Sequence, residues 1–246
     1  MTADYSGKAS ASQEEFETFI NLFYNDIRNH SVVMKGVFFM LGASSACGLV
    51  LAAGLSSRMG DFKPLMPFRG KTLIENTIDS MIAAGVKRIV IVLGYRGNEI
   101  ESILRLHYGS EIIYARNPHY DTTDMLTSIK YGLRSMPQCK AFFLLPGDMP
   151  VISKSTFLKL LNARPAGRPS VLFPTLEGYR KHPPLIDYGF RDLILQFEGE
   201  GGLRQIWKLE EDSIIHVPVD DDGVWMDLDT MEDYEVCISR YCPAKI

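Results

Sequence analysis

The chain has 246 residues, of which 46% are hydrophobic and 23% are charged, and its formal net charge at pH 7 is −4. This composition is typical of a globular protein with a sizeable core, built as one large α/β domain or two small ones. The acidic balance argues against a general nucleic-acid-binding protein, because such a protein needs a basic surface to neutralise phosphates. It does not argue against a site for one nucleotide, which needs only a few local cations.

The cysteines are scattered, with no C-x-x-C pair and no histidine at metal-ligand spacing. We therefore expect free thiols and a cytoplasmic location rather than disulfides or zinc. The apolar stretch at residues 32–55 is long enough to suggest a membrane span, but Lys35, two serines and several glycines interrupt it. We expect no span there, and the long acidic region before it argues against a cleaved signal peptide.

Residues 1–46 precede the alternating pattern of the remaining chain and are predicted to form an N-terminal extension. Within this extension, residues 13–30 have apolar side chains at i, i+3, i+4 and i+7 spacing, which predicts an amphipathic helix. Such a helix either covers an apolar patch of the same chain or contacts a second copy or a partner.

From residue 47 to residue 246, predicted strands and helices alternate. Continuous apolar runs at 49–53, 88–93 and 141–145 predict strands buried on both faces. Shorter strands are expected at 111–114, 170–174 and 214–219, and helices at 71–84, 97–107, 127–136, 153–163 and 231–241. This order predicts a single α/β domain with a doubly wound, mostly parallel sheet, in which ligands bind beyond the carboxyl ends of the strands.

The first predicted strand of this domain ends in a polar loop with two cations, within the sequence GLVLAAGLSSRMGDFKPL at residues 48–65. Small residues at the strand end let backbone N–H groups approach a phosphate. Arg58 offers a planar fork of donors, and Lys63 offers a mobile point charge. Neither a Walker A loop nor G-x-G-x-x-G is present. A turn with two solvated cations is the alternative interpretation.

The pattern L-A-A-G-x-S-x-R-M-G-x-x-K resembles the signature of the MobA/MocA-like nucleotidyltransferases, which activate molybdenum-cofactor precursors with GTP or CTP. Further segments resemble the family's patterns in the same order: NP at 117–118, GDMP at 147–150, GYRKHPP at 178–184, GEGGLR at 199–204 and DLDTMED at 227–233. Two of them depart from the pattern, because Lys181 stands in a glycine position and Met231 replaces the usual proline. The resemblance implies a Rossmann-like fold of the glycosyltransferase-A type, with three layers, α/β/α.

The resemblance also implies which residues bind the nucleotide: Leu51, Ala52, Ala53, Gly54, Ser56, Arg58, Lys63, Asn117, Ser128 and Gly147. Among the residues of these motifs, Arg58, Lys63 and Asp148 are predicted to be catalytic. Thr123 and Asp124 stand where the family has a glycine-containing loop near the base and ribose. The choice between cytosine and guanine is therefore left open by the sequence.

Asp148 follows a predicted strand directly and matches the family's metal-binding aspartate. Asp227 and Asp229 face the same side in an extended chain, so one of them is expected to complete a Mg²⁺ site. A local turn hydrogen bond for Asp148 and helix capping for the other pair are the alternatives. By the same resemblance, the acceptor-binding residues are Arg180, Lys181, His182, Gly202 and Arg204, the last two in a predicted flexible loop.

The function implied is transfer of a nucleotidyl group from an NTP, with CTP favoured over GTP, to a phosphorylated pterin acceptor, releasing pyrophosphate. Two alternatives stay open: a sugar- or alditol-phosphate nucleotidyltransferase, and a non-catalytic carrier that brings pterin cofactor to a molybdenum hydroxylase apoprotein. We expect no nucleic-acid or membrane partner.

Overall fold

The computed structural model describes residues 44–55, 61–226 and 228–242. These residues belong to one compact unit, Ser44–Ile246. Of the predicted extension 1–46, residues 1–43, with the predicted helix at 13–30, lie outside the described residues and stay a prediction, whereas residues 44–46 begin the first strand. Ser56, Arg58 and Asp227 also lie outside the described residues, and their roles stay predictions.

The described strands have the following bounds in chain order: β1 (Ser44–Ala52), β2 (Pro67–Phe68), β3 (Lys71–Thr72), β4 (Ile89–Leu93), β5 (Ile112–Arg116), β6 (Cys139–Pro146), β7 (Val171–Leu176), β8 (Tyr179–Arg180), β9 (Leu185–Asp187) and β10 (Ile214–Pro218). Eight of them form one sheet in the order β10-β7-β9-β6-β1-β4-β5, with β8 beside β7. The pairs β1–β4, β1–β6, β4–β5 and β7–β10 are parallel. Strand β9 runs antiparallel to both of its neighbours, β6 and β7.

The described α-helices are α1 (Leu73–Ala83), α2 (Gly97–His107), α3 (Met125–Ser135), α4 (Lys154–Ala163), α5 (Arg191–Gln196), α6 (Gly202–Leu209) and α7 (Met231–Tyr241). Ser153 caps α4, because its hydroxyl accepts a hydrogen bond from the Thr156 N–H.

Helices cover both faces of the sheet. Successive residues of a strand point to opposite faces, so neighbouring residues of β1 pack against different helices. Val50 belongs to a core cluster that contains residues of α1, α2 and α4. Its neighbour Leu49 points the other way, where Gly132 of α3 packs so closely that an added Cβ would lie 2.3 Å from a Leu49 methyl group. The predicted doubly wound, three-layer α/β/α architecture with a mostly parallel sheet is confirmed.

Two local predictions are corrected by the structure. Strand β9 was not predicted, because it has three residues and follows two prolines, so it shows no periodicity. The segment 199–204 is not a loop throughout: α6 begins at Gly202, and Arg204 lies in its first turn. The glycines there indicated a turn, and indeed Gly201 and Gly202 have positive φ, but the helical spacing of Leu203, Ile206 and Trp207 was overlooked.

Within the ranges described above, no helix is both long enough and apolar enough to cross a membrane.

Candidate active site

The ends of β1 and β6 lie side by side and fix the position of Asp148. Leu51 is in register with Pro146, and the Gly147 N–H donates a hydrogen bond to the Leu51 carbonyl oxygen at 2.9 Å. On the other side, the Thr77 hydroxyl donates to the Gly147 carbonyl oxygen at 3.2 Å. Because both polar groups of the Gly147 backbone are engaged, Asp148 emerges from a fixed turn at the carboxyl edge of the sheet.

Lys63 joins Asp148 to a third segment of the chain. Its Nζ lies 2.9 Å from Asp229 Oδ1 and 3.6 Å from Asp148 Oδ2. The Lys63 side chain is only 8% exposed, while those of Asp148 and Asp229 are 17% and 38% exposed. Three predicted site residues that are far apart in sequence therefore meet at one point.

Asp229 does not cap the helix that follows it. That role belongs to Thr230, whose hydroxyl accepts a hydrogen bond from the Asp233 N–H at 3.2 Å. The Asp233 carboxylate in turn accepts from the Thr230 N–H at 2.8 Å, which completes a capping box. The capping alternative is thus wrong for Asp229, and its carboxylate faces Lys63 instead.

A cavity of about 810 Å³ opens above this cluster. The predicted site residues that line it are Leu51, Ala53, Gly54, Lys63, Ser128, Asp148, Arg180, Lys181, His182, Arg204 and Asp229. Those that lie outside its lining are Ala52, Asn117, Gly147 and Gly202. The volume is within the range of small-molecule sites, and the cavity brings the predicted phosphate, metal and acceptor residues together.

Asn117 supports the cavity from behind. It is buried, and its amide nitrogen donates hydrogen bonds to the hydroxyl oxygens of Thr123 and Ser128, each at 3.0 Å. Its amide oxygen accepts from the His119 N–H, also at 3.0 Å. Asn117 thus holds the loop between β5 and α3, while Ser128 reaches the cavity wall.

On the predicted acceptor side, the cations already have neighbours. Arg180 donates through Nε to His216 Nε2 and through Nη2 to Glu211 Oε1, both at 2.7 Å. Lys181 Nζ lies 3.0 Å from the centroid of the Trp225 ring. The structure therefore places Lys181 against an aromatic surface and pairs the charge of Arg180 with Glu211.

Several residues that line the cavity were not predicted, among them Tyr120, Met125 and Trp225. Tyr120 lies in a turn, Met125 begins α3 and Trp225 ends a short 3-10 helix, so no periodicity or spacing marks any of them. One signal was available for Trp225, because it is one of two tryptophans and comes just before the acidic DLD segment.

Comparison with known proteins decides the family. Residues 48–214 match the family model for the MobA-like NTP transferase domain. The chain belongs to the MobA-like NTP transferase family. The predicted family and the predicted enzyme class, a nucleotidyltransferase, are thereby confirmed.

Two curated relatives of this MobA-like protein differ in the activity they are named for. The molybdenum cofactor cytidylyltransferase of Escherichia coli (strain K12) is 30% identical over 193 residues, which cover 78% of this chain and 95% of that protein. The nicotine blue oxidoreductase of Paenarthrobacter nicotinovorans is 27% identical over 192 residues, covering 75% and 92%. Similarity to these relatives by itself therefore does not identify the substrates, which depend on the residues of the site.

Among solved structures, a nucleotidyl transferase from Methanothermobacter thermautotroptrophicus resembles the MobA-like domain with a TM-score of 0.68. It is 22% identical and covers 82% of this chain and 99% of that chain. At this identity the likeness supports the fold.

The donors at the centre of the MobA-like domain suit Mg²⁺. In the described parts of the chain, no group of three or more His, Cys, Asp or Glu residues is placed to hold a metal ion. Asp148 and Asp229 nevertheless converge on one nitrogen atom, that of Lys63. Mg²⁺ is commonly bound by one or two carboxylates together with substrate phosphates. A pair of carboxylates beside the predicted phosphate site therefore fits this ion.

Proposed function

We propose that the protein transfers a cytidylyl group from CTP to the phosphate of a pterin acceptor, releases pyrophosphate, and binds Mg²⁺ through Asp148 and Asp229. The observation that carries the proposal is the contact of Lys63 with both carboxylates on the wall of the cavity. The similarity to a molybdenum cofactor cytidylyltransferase over most of both chains supports the choice of substrates.

The reaction forms one phosphorus–oxygen bond and breaks another. An oxygen of the acceptor phosphate attacks the α-phosphorus of CTP, and the bond from that phosphorus to the pyrophosphate oxygen breaks. The attacking phosphate is already ionised at neutral pH, so no general base is needed, and His182 is assigned to binding. The pyrophosphate leaves as an anion.

Catalysis by this site depends on positioning and electrostatics. Lys63 directs its ammonium group toward the phosphate oxygens from a nearly buried position, where a charge acts more strongly than in water. Asp148 and Asp229 would hold Mg²⁺, which would supply further positive charge beside the phosphates. Arg58 precedes Lys63 in the family motif and is proposed as a second hydrogen-bond donor to the phosphates.

One assay distinguishes CTP from the other NTPs and a pterin acceptor from other phosphorylated acceptors. The protein is incubated with Mg²⁺, one of four NTPs, and either a phosphorylated pterin, a sugar phosphate or an alditol phosphate, and pyrophosphate is measured. We expect release with CTP and the pterin. Pyrophosphate release with the sugar or alditol phosphate, but not with the pterin, would identify the protein as a sugar- or alditol-phosphate nucleotidyltransferase. Tight pterin binding without pyrophosphate would indicate a carrier that delivers the cofactor to a hydroxylase apoprotein.

Asp148→Asn tests the metal site within this assay. The neutral amide keeps the size of the side chain but loses the charge that binds Mg²⁺, so Mg²⁺-dependent turnover should fall by at least about 10²-fold. Asp220→Asn is the matched control, because Asp220 is fully exposed and pairs only with Lys159. Undiminished turnover of Asp148→Asn would remove this residue from the metal site.

A further inference from the structure

Trp225 is a large aromatic side chain on the wall of the cavity. It ends the 3-10 helix Asp222–Trp225 and is 41% exposed. Tyr179, which is 64% exposed, packs against it edge to face, with the ring centroids 6.0 Å apart. The chain's other tryptophan, Trp207, is buried against Phe190. Since folding normally buries such rings, an exposed pair beside a cavity indicates a surface for an aromatic or apolar ligand group.

Contacts with the segment before α4 hold this surface in place. Asp221 Oδ2 accepts hydrogen bonds from the N–H and the hydroxyl of Ser153, each at 2.9 Å. Gly223 lies so close to Val151 that an added Cβ would be 2.3 Å from the Val151 carbonyl oxygen. Because its backbone is anchored on both counts, the Trp225 surface loses little conformational entropy when a ligand binds.

The sheet order puts this surface on one side of the proposed reaction centre. Tyr179 belongs to β8, which pairs with β7, whereas Tyr120 follows β5 at the opposite edge of the sheet. Asp148 follows β6, which lies between these strands. The loop that carries Tyr120 also carries the predicted base and ribose region. The ligand that reaches Trp225 is therefore the one on the other side of the transferred phosphate, the acceptor.

Lys181 lies over one face of the Trp225 ring. Its Nζ lies 3.0 Å from the ring centroid, and both residues line the cavity. Stacking of a planar ring on an aromatic side chain is of the same order as a cation–π contact, so such a ring can compete with the half-buried ammonium of Lys181 for the indole. An incoming ring can thus take this face, while the displaced ammonium stays close enough to meet the ligand's phosphate.

We propose that Trp225, supported by Tyr179, determines acceptor specificity by stacking the planar ring of a phosphorylated heteroaromatic acceptor. This inference rests on the proposed function for its reaction and narrows the class of acceptor. A pterin offers a π-face that stacks on indole, whereas an alditol phosphate offers none. The surface therefore favours the pterin class over the alditol class.

Kinetics of pyrophosphate release test the proposal, with CTP, Mg²⁺ and 6-hydroxymethylpterin monophosphate as the acceptor. Trp225→Ala should raise the KM for the pterin phosphate about tenfold and change the KM for CTP by less than about twofold, because only the acceptor loses its stacking partner. Trp225→Phe keeps a ring and should restore most of the affinity. Tyr131→Ala is the control, since it removes a ring of α3 that contacts Arg134 and does not line the cavity.

Fluorescence gives a readout that does not depend on turnover. Trp207→Phe leaves Trp225 as the only tryptophan, and thermal melting checks that this variant is folded. Titration with the pterin phosphate, corrected for absorbance with free tryptophan amide, should quench its emission, and glycerol 3-phosphate should not.

An unchanged KM for the pterin phosphate in Trp225→Ala, an increase confined to the KM for CTP, or the absence of quenching would overturn the inference. Quenching by the pterin phosphate in a protein that releases no pyrophosphate with any acceptor has a different meaning. In that case the stacking surface stands and the proposed function fails.

Discussion

At the scale of single residues, the most consequential feature is the nearly buried ammonium group of Lys63. Burial of an isolated charge is unfavourable, and Lys63 is compensated by carboxylates on both sides, Asp148 and Asp229. Lys63 in turn stabilises the two carboxylates, because without it their like charges would repel each other across a short distance. The residue therefore serves the folded site as well as the proposed phosphate chemistry.

Lys63→Met tests the role of this charge in the proposed phosphate chemistry. The methionine keeps much of the chain volume but has no charge, so we expect kcat/KM for CTP to fall about 10²–10³-fold, as when one charge-stabilising donor is removed from an active site. The KM for CTP should rise far more than the KM for the acceptor. Lys159→Met is a matched control, since Lys159 is half exposed and pairs with Asp220 away from the cavity. Equal increases in both KM values would mean that Lys63 contacts the other substrate.

Glu75 is a second buried charge, and it links α1 to the end of α2. Its Oε2 accepts hydrogen bonds from the Thr72 N–H at 2.8 Å and the Thr72 hydroxyl at 2.6 Å. Its Oε1 lies 2.6 Å from His107 Nδ1. Burial by itself raises the pKa of Glu75, but the hydrogen bonds from Thr72 and the pairing with His107 bring the pKa below its usual value.

The lowered pKa gives the stability of the protein a pH dependence with a definite sign. The folded state favours the ionised carboxylate, so its contribution is complete above the pKa of Glu75 in the unfolded chain and is lost as pH falls through the lower pKa of the folded state. Glu75→Gln should reduce the free energy of unfolding by about 1–3 kcal/mol at pH 7. Urea unfolding at pH 7 and pH 3 should show this deficit shrinking in acid.

Glu99→Gln is the control for this experiment, because Glu99 lies on the exposed surface of α2 and pairs with Arg96. Its unfolding midpoint at pH 7 should change much less than that of Glu75→Gln. A deficit in Glu75→Gln that is as large at pH 3 as at pH 7 would contradict the assignment, since it would not depend on the charge.

At the scale of secondary-structure elements, the helices and strands whose apolar residues recur at regular spacing were predicted correctly. The predicted helix at 97–107 is α2 with the same bounds, and the predicted strand at 88–93 is β4, Ile89–Leu93. Strand β9 escaped prediction because three residues cannot show a period. For the site, motif order and strand ends predicted Lys63, Asp148 and Asp229. Trp225 could not be predicted in this way, because a single aromatic residue at the end of a four-residue 3-10 helix has no spacing to reveal its role.

The segment that carries Trp225 and Asp229 also leads to the next prediction. Gly223→Ala should push this segment away from Val151, because the new Cβ would lie 2.3 Å from a backbone oxygen that cannot rotate aside. We expect a loss of about 1–3 kcal/mol in the free energy of unfolding, as for other overpacked positions, together with a lower kcat. Calorimetry and pyrophosphate release measure the two effects.

Gly109→Ala provides a matched control for the added methyl group. Its nearest neighbour would be the flexible carboxylate of Glu111 at 3.4 Å, an ordinary contact. A Gly223→Ala protein as stable and active as Gly109→Ala would show that the segment is not held by Val151.

At the scale of the whole molecule, a chain with a net charge of −4 gathers basic side chains around one cavity. Lys63, Lys181 and Arg204 reach it from the loop after β1, from the segment after β8 and from α6. The parallel sheet makes this convergence possible, because the carboxyl ends of β1 and β6 open at the same edge. The lining also contains Asp124, Asp148 and Asp229, so the basic side chains offer local contacts to an anionic ligand within a site of mixed charge.

Ligand-induced stabilisation tests this picture on the intact chain. A nucleotide that binds only the folded state at 100 times its Kd adds about 2.7 kcal/mol, which raises Tm by roughly 5–10 °C for a protein of this size. With Mg²⁺, we expect the largest shift from CTP, a smaller one from GTP, and little from ATP or UTP. Chelation of Mg²⁺ should remove most of the CTP shift, because the negative charges of Asp148 and Asp229 would then repel the phosphates. Equal shifts from all four nucleotides would contradict cytosine selectivity, and a CTP shift that survives chelation would contradict the metal site.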